Sequence, residues 1–385
     1  MSDLKVSLQR DKDEQEAKVE KINPAERLNW ETPKMEDVSE QVMASRISAS
    51  PEILQHFPMP GRAVAEYRAP LFLAWQLTNR CGARCIACCE ESGPDRAWRD
   101  ELGRAEALDL ARRIVDFGIP YVAFGGGEPL LAPHCWDLFE RLSAGGVALK
   151  IETDGTRIDD AAAERLAGLA VQCIQVSVDG ASADTHERVR PGSSFAAATG
   201  AIRRLAARGL APQLVFVPTR SNLHEAVATY DLAVELGCGA FITGPLMRIG
   251  RAAADWDRIA CREEDWQAAV LALREHAESR GAATALSIYP WDILAEMERR
   301  LKSPQAMLLV VPNGKVKLLN ALPFAPADVR RDSLEQAWLA YRDAWRASEV
   351  REFVTACRRN PDLLKHANET WPLEGTPRVA AARDR

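Results

Sequence analysis

Three cysteines at C-x3-C-x2-C spacing are the residues of this chain best suited to chemistry. Cys81, Cys85 and Cys88 follow an apolar run at 71–77 that is typical of a buried strand. Thiolates are the usual protein ligands of iron–sulfur clusters, and a four-iron cluster held by three cysteines leaves one iron open to a small molecule. The spacing therefore predicts a loop that binds one such cluster.

Two other interpretations compete with the cluster. Zinc sites normally pair two C-x2-C knuckles or add histidines, and the sequence has neither a second knuckle nor an H-x3-H pair. Free cysteines also pack in cores as small apolar side chains. Arg80, Gly82 and Arg84 would interrupt a core strand or helix at this point, so the pattern favours the cluster.

A glycine run after the second predicted strand is a second candidate site. Gly125, Gly126 and Gly127 precede Glu128 and Pro129. Glycines let the backbone approach a ligand closely, and the carboxylate can pair with a cation. Taken alone, such a run also makes a plain tight turn.

Together these residues resemble the radical S-adenosylmethionine (SAM) enzymes. Their signature is this cysteine spacing after the first strand of a partial barrel, with SAM chelating the open iron through its amino and carboxylate groups. The resemblance implies one [4Fe-4S] cluster, and it implies that Gly126, Gly127 and Glu128 match the G-G-E-P motif that binds the SAM amino group. One departure is Ala87, where the family commonly has an aromatic residue.

The third and fourth predicted strands extend this resemblance. Thr153 precedes an Asp-Gly turn where the family often has Thr-Asn-Gly, which implies a place in the SAM pocket. Glu152 is a second candidate there, and a plain turn fits equally well. Ser177 and Arg190 match positions that hold the SAM ribose and carboxylate in the peptide-modifying and cofactor-maturing branch. An arginine fork suits a carboxylate.

His186 lies between Ser177 and Arg190, and we interpret it as structural, because a lone loop histidine is more often structural than catalytic. The sequence identifies no catalytic residue beyond the cofactor site. The stretch 250–252, Gly-Arg-Ala after the sixth predicted strand, also fits this branch with less specificity.

Composition and charge limit the classes of partner. The chain has 385 residues, 47% of them hydrophobic, and a net charge of -6, which does not favour wholesale nucleic-acid binding. Nine cysteines, three of them in one motif, suit a reducing cytoplasm better than a disulfide framework. We find no signal peptide at 1–21 and no apolar run near the roughly 20 residues that span a bilayer, so we expect a cytoplasmic protein without a membrane partner.

Strand-like and helix-like patterns alternate between 71 and 252. The predicted strands lie at 71–77, 121–124, 148–152, 173–178, 214–217 and 240–242. This alternation predicts a parallel sheet whose functional residues gather at the C-terminal strand ends. We therefore predict an α/β fold, a partial (β/α)6 TIM-type radical SAM barrel with a small α+β C-terminal extension.

The C-terminal part follows a different pattern. From Trp256 to about Leu301 it predicts helix, and then strands at 308–311 and 316–319 flank an Asn-Gly turn. This order resembles the scaffold of the SPASM domain, which in many relatives carries auxiliary iron–sulfur clusters. Leu319 stands where a cluster cysteine usually follows the hairpin, so we predict no auxiliary cluster.

The sequence predicts four parts: an N-terminal extension at 1–65, a core barrel at 66–252, a SPASM-like domain without cluster cysteines at 253–360, and a tail at 361–385. The extension is predicted to be partly disordered. Its stretch 29–45 resembles a small precursor peptide, although an arm that docks Trp30 on the barrel is an alternative.

The leading functional hypothesis is radical SAM chemistry on a ribosomally made peptide during maturation of a cofactor or natural product. A 5'-deoxyadenosyl radical would abstract hydrogen from this peptide or a small-molecule substrate. A flavodoxin or ferredoxin is implied as electron donor. The alternatives are side-chain chemistry on a tetrapyrrole of the haem pathway and a non-catalytic peptide-binding relative.

Overall fold

The computed structural model of the chain describes residues 64, 67–281 and 283–373. The peptide-like stretch 29–45 lies outside the described residues, as do nearly all of the predicted extension and the end of the predicted tail. The predictions for those segments stay predictions.

A ten-stranded sheet is the frame of the described chain. Its strands are β1 (Phe72–Thr78), β2 (Tyr121–Gly126), β3 (Ala148–Thr153), β4 (Val171–Ser177), β5 (Gln213–Val215), β6 (Ala240–Thr243), β7 (Ala285–Ile288), β8 (Met307–Val310), β9 (Lys315–Lys317) and β10 (Ala327–Asp328). The spatial order is β10-β9-β8-β1-β2-β3-β4-β5-β6-β7. All neighbours from β8 to β7 are parallel, and β9 is antiparallel to both β8 and β10.

Helices connect the parallel strands. They are α1 (Arg104–Phe117), α2 (Cys135–Ala144), α3 (Asp160–Ala167), α4 (Ala183–Val189), α5 (Phe195–Ala207), α6 (Ala226–Glu235), α7 (Arg251–Ala254), α8 (Trp256–Ile259), α9 (Glu263–Arg280), α10 (Ile293–Lys302), α11 (Leu334–Ala344) and α12 (Ser348–Arg359). Their starts follow local chemistry, since Asp159, Ser194 and Ser333 cap α3, α5 and α11 with side-chain oxygens. Within the described ranges, no helix has the length and apolar character that crossing a bilayer requires.

The two faces of the sheet differ in their packing. Leu73, Trp75 and Leu77 of β1 are buried. The Trp75 ring stacks on Phe124 of β2 at 5.7 Å between centroids, and Phe124 contacts Phe139 of α2 at 4.8 Å. This face therefore packs on the helices, whereas the alternate residues of the same strands are half-buried on the opposite face.

The predicted α/β class and partial barrel are confirmed, and the six predicted barrel strands appear within a few residues of their expected bounds. The Asn313–Gly314 hairpin between β8 and β9 is also present. The prediction of continuous helix over 256–301 is wrong, because β7 interrupts it and pairs with β6. The C-terminal hairpin also joins the barrel sheet, since β8 pairs with β1.

Candidate functional site

The cysteine loop follows β1 and is fastened by backbone hydrogen bonds to distant segments. The Arg84 N–H donates to the Pro191 carbonyl at 2.7 Å, and the Ile86 N–H donates to the Val189 carbonyl at 3.0 Å. Both acceptors lie at the end of α4, beside Arg190. The fold thus brings the cysteine loop and the segment after β4 together, as the sequence predicts.

Each of the three thiols faces a hydrogen-bond donor. The pairs are Cys81 with the backbone N–H of Ala83, Cys85 Sγ with Arg190 Nη1 at 3.4 Å, and Cys88 Sγ with the backbone N–H of Ser92 at 3.3 Å. Donors of this kind stabilise a thiolate and tune a cluster bound to it.

The free thiols are held protonated by their surroundings. Burial raises the pKa of Cys81 to about 12 and that of Cys88 to about 11, and it also raises the pKa of Cys85. A coordinated metal deprotonates a thiol outright. The site therefore suits metal-bound thiolates and disfavours free ones.

A cluster and a single metal ion place different demands on the thiols. Among residues 67–281 and 283–373, no three His, Cys, Asp or Glu side chains converge closely enough to bind one metal ion. A four-iron cluster attaches its thiolates to different irons, so its ligands lie farther apart than those of one ion. Cys81, Cys85 and Cys88, on one loop with a donor at each sulfur, fit such a cluster.

Gly250 and Arg251 brace the cysteine loop from the far end of the barrel. The Arg251 guanidinium donates to the carbonyls of Cys85 and Ser92, both at 2.7 Å, and its backbone N–H donates to the Cys88 carbonyl at 3.0 Å. Gly250 has a φ of 57°, and a Cβ there would lie 2.2 Å from the Cys89 carbonyl oxygen. The loop thus requires glycine at this position.

The glycines after β2 also pack against the loop. Gly126 has a φ of 109°, and a Cβ at Gly127 would lie 2.2 Å from the Arg80 carbonyl oxygen. The Gly127 N–H donates to the Thr78 carbonyl at 2.7 Å. Close approach of the loop therefore explains this part of the glycine run. The proposed contact of Gly126 and Gly127 with SAM stays a prediction.

Glu128 and Thr153 meet across β2 and β3. The buried Glu128 carboxylate accepts hydrogen bonds from the Thr153 hydroxyl at 2.9 Å, the Asp154 N–H at 2.8 Å and the Leu130 N–H at 3.1 Å. Burial, and secondarily Asp154, raises the pKa of Glu128 to about 8. The two residues are thus adjacent, and their binding of SAM stays a prediction.

Arg190 and Ser177 lie on the β4 side of the site. The Arg190 Nε donates to Asp179 Oδ2 at 2.6 Å, and Asp179, itself 1% exposed, also accepts from the Val217 N–H at 2.7 Å. This pair fixes the guanidinium beside Cys85. The Ser177 hydroxyl, half-buried at the end of β4, makes no hydrogen bond to any described residue. Both remain predicted SAM ligands.

His186 is integrated into the fold. Its Nδ1 accepts from the Asp179 N–H at 3.1 Å, and its Nε2 lies 3.2 Å from the Ser193 hydroxyl. The ring is fully buried, and this burial, with the nearby Arg190 charge, lowers the pKa of His186 to about 4. These contacts favour the structural role expected from the sequence.

We expect His186 to make stability depend on pH. Its pKa is lowered from 6.5 to about 4 in the fold, so the unfolded chain binds the proton first. Neutral His186 therefore contributes about 3 kcal/mol to the free energy of unfolding above pH 6.5, and this contribution is lost as the pH falls toward 4. Urea unfolding of His186→Asn, which keeps an acceptor oxygen, should show a flatter pH dependence than wild type. His224→Asn at an exposed position is the control, and equal slopes for wild type and His186→Asn would contradict the prediction.

Two site residues have contacts that sequence reasoning missed. Asp179 orients Arg190, and Glu90 accepts a hydrogen bond from Gln76 at 3.2 Å just beyond the cysteine loop. Asp179 carries a sequence signal, because it lies two residues after the predicted SAM ligand Ser177. Glu90 carries no sequence signal beyond its position two residues after Cys88.

A family comparison supports the resemblance. The model of the Radical SAM superfamily matches residues 75–233, a range that contains the cysteine loop, the glycine run and Arg190. The matched range ends within α6.

Sequence relatives include maturases and haem synthases. Mycofactocin maturase MftC of Mycobacterium ulcerans is 36% identical over 194 residues, which are 50% of this chain and 51% of that protein. AdoMet-dependent heme synthase of Methanosarcina barkeri is 26% identical over 324 residues, covering 78% of this chain and 88% of that protein. The chain thus spans about half the length of the maturase relatives that it matches.

Solved structures share the fold. Streptococcus suis SuiB bound to S-adenosylmethionine has a TM-score of 0.60 at 14% identity, and the match covers 83% of this chain and 75% of the SuiB chain. Native anSMEcpe with bound AdoMet has a TM-score of 0.54 at 16% identity and covers 71% of this chain and 82% of its own. At these sequence identities the comparison shows a shared fold.

Proposed function

We propose that residues 75–233, which the Radical SAM superfamily model matches, form a radical SAM domain and that the protein is an enzyme that cleaves SAM to begin radical chemistry on a peptide. The observation that carries the proposal is the three-cysteine loop, in which every sulfur faces a donor and which the segments after β2 and β4 contact. Such strand ends are where barrel enzymes place their chemistry.

Cys81, Cys85 and Cys88 would hold one [4Fe-4S] cluster. When bound, the cluster and SAM supply a 5'-deoxyadenosyl radical that abstracts hydrogen from the substrate. The chain's own groups orient the cofactors. Arg190 would contact the SAM carboxylate, and Ser177 the ribose.

The remaining predicted SAM ligands lie at the C-terminal ends of β2 and β3. Gly126, Gly127 and Glu128 would bind the SAM amino group, and Thr153 would contribute to the same side of the SAM pocket. Because Glu128 is fully buried and already accepts three kinds of donor, its binding of SAM would need a local exchange of hydrogen bonds. We propose a flavodoxin or ferredoxin as the electron donor.

The peptide substrate is supported by the mycofactocin maturase relatives and by the likeness of fold to SuiB, which has also been solved bound to its precursor peptide SuiA. A second candidate is a tetrapyrrole. It is favoured by one observation, the long match to AdoMet-dependent heme synthase, 88% of whose length is covered. A peptide-binding relative without catalysis is disfavoured, because the three cysteines, Glu128, Ser177 and Arg190 are all present together.

Anaerobic reconstitution followed by iron analysis and a SAM cleavage assay tests the proposal. We expect about four irons per chain and formation of 5'-deoxyadenosine with a chemical reductant. About eight irons would contradict the prediction of a single cluster. A protein with neither iron nor cleavage would contradict the enzymatic function and favour the binding relative.

Arg190 is expected to tune the cluster. A cation that donates to Cys85 Sγ stabilises the more negative, reduced state, so its loss should lower the reduction potential. Taking a charged hydrogen bond as worth about 1.5 kcal/mol, Arg190→Met should shift the midpoint down by roughly 60 mV. Redox titration followed by electron paramagnetic resonance measures this shift.

The matched control is Arg165→Met, which removes an exposed arginine that pairs with Glu140 on the outer surface. We expect no shift in that variant. An unchanged potential in Arg190→Met, with iron content retained, would show that Arg190 does not act on the cluster.

A further inference from the structure

A row of polar side chains crosses the sheet on the face opposite the helices. The polar ring, as we define it, consists of Gln76, Glu152, Gln175 and Gln213 from β1, β3, β4 and β5. Gln175 is in register with both Glu152 and Gln213. Gly125 of β2 is in register with Gln76 and completes the row. A Cβ at Gly125 would lie 2.9 Å from Glu152 Oε2, so the glycine leaves room for this carboxylate.

This composition is unusual for the interior of a barrel. Barrel interiors are filled mainly by bulky branched side chains that pack as a core. Here Ala74 and Ala123 form the neighbouring row with Lys150, and all three are half-buried although they lie on central strands. Small residues that stay partly exposed in the middle of a sheet leave open space beside the polar ring.

The polar ring offers hydrogen-bonding groups to that space. The Glu152 Oε1 pairs with Lys150 at 2.7 Å, while its Oε2 has no hydrogen-bond partner in the described part of the chain, and the side chain is 50% exposed. Gln175 Nε2 donates to Gln213 Oε1 at 2.9 Å. Glu152 Oε2 is therefore the charged oxygen open to a ligand, because Lys150 pairs with Oε1 alone.

The polar ring is contiguous with the candidate cofactor site. Gln76 Nε2 donates to Glu90 Oε1 at 3.2 Å, and Glu90 lies two residues beyond Cys88. Ser177 stands two residues after Gln175 on the same face of β4, a rise of about 7 Å along the strand. A molecule bound at the ring would therefore lie directly below the proposed SAM site.

We propose that the polar ring is the substrate site and that it binds a peptide segment carrying a lysine or arginine side chain, whose charge pairs with Glu152. This inference rests on the proposed function and names its substrate class. Glutamine amides both donate and accept, as peptide groups do, and a carboxylate binds an ammonium or guanidinium group strongly when partly desolvated. The carboxylates of a tetrapyrrole would find no free cation in this row, because Lys150 already pairs with Glu152.

The experiment selects binders from a random octapeptide library displayed on mRNA, using the reconstituted full chain. We expect wild type to enrich peptides with Lys or Arg over those with Asp or Glu at one position by at least ~10-fold. Glu152→Gln, which keeps the side-chain shape, should lose that enrichment. Glu152→Asp, which keeps the charge, should retain part of it.

Controls separate binding from folding. Glu140→Gln on α2 and Gln172→Leu, exposed on β4 outside the ring, should enrich peptides as wild type does. Thermal unfolding of Glu152→Gln should show one cooperative transition, as in wild type. The proposal would be overturned if Glu152→Gln and wild type enriched cationic peptides equally. It would also be overturned if wild type enriched no peptides and bound coproporphyrin III as tightly as Glu152→Gln does. SAM cleavage by wild type without a peptide tests the proposed function separately.

Discussion

Replacing Cys85 by alanine is expected to abolish both cluster binding and SAM cleavage. Cys85 lies at the centre of the loop, where Arg190 faces its sulfur and Arg251 binds its carbonyl. With two thiolates left, a four-iron cluster lacks the ligands that hold it. We expect iron to fall from about four to below one per chain, and 5'-deoxyadenosine formation to fall by more than ~100-fold, beyond the usual effect of losing an outer contact.

The control for this variant is Cys261→Ala. Cys261 is also partly buried, and burial raises the pKa of its thiol to about 11, but it lies in the connection between α8 and α9. Iron content and SAM cleavage should stay at the wild-type level. Full cleavage in Cys85→Ala would overturn the assignment of the cysteine loop, whereas losses of equal size in both variants would point to a general effect on folding.

Local patterns made most of the barrel predictable. The strands β1 to β6 are apolar runs, and helical patterns with clear periodicity separate them. Because parallel strands point their C-terminal ends to one edge, the same reasoning also placed the cysteine loop near Glu128, Thr153 and Arg190. The hydrogen bonds among these residues agree with that expectation.

The C-terminal strands were less predictable because their pairing is not local. The run that forms β7, from Ala285 to Ile288, is four residues long and lies between two long helical patterns, so periodicity could not separate it from them. The partner of β8 is β1, more than 200 residues earlier in the chain, and no sequence pattern encodes that contact. The hairpin itself was predictable from Asn313–Gly314, whose turn chemistry is local.

The contacts around the site were likewise only partly predictable from the sequence. The sequence pattern singled out Arg190, but its partners Asp179 and Cys85 are set by the packing of three separate segments. Alternation along β3 implies that Glu152 and Thr153 face opposite sides. The sequence could not say that Thr153 meets Glu128 whereas Glu152 lies beside Lys150.

Gly250→Ala is expected to displace the cysteine loop. At this position a Cβ would lie 2.2 Å from the Cys89 carbonyl oxygen and 2.5 Å from that of Cys88, and both are backbone atoms of the loop. The positive φ of 57° adds a further cost. We expect the free energy of unfolding to fall by about 2–5 kcal/mol, the sum of overpacking and backbone strain. Reconstituted iron should fall below half of the wild-type content.

Gly281→Ala is the matched control, because it separates backbone strain from the collision with the loop. Gly281 follows α9 with a φ of 55°, and a Cβ there meets nothing within 4 Å. We expect about 1 kcal/mol of destabilisation and wild-type iron content. Urea unfolding and iron analysis of the two variants measure the difference. If both lose the same stability and keep the same iron, the close approach of Gly250 to the loop has no role in holding the cluster, and the bracing must come from Arg251 alone.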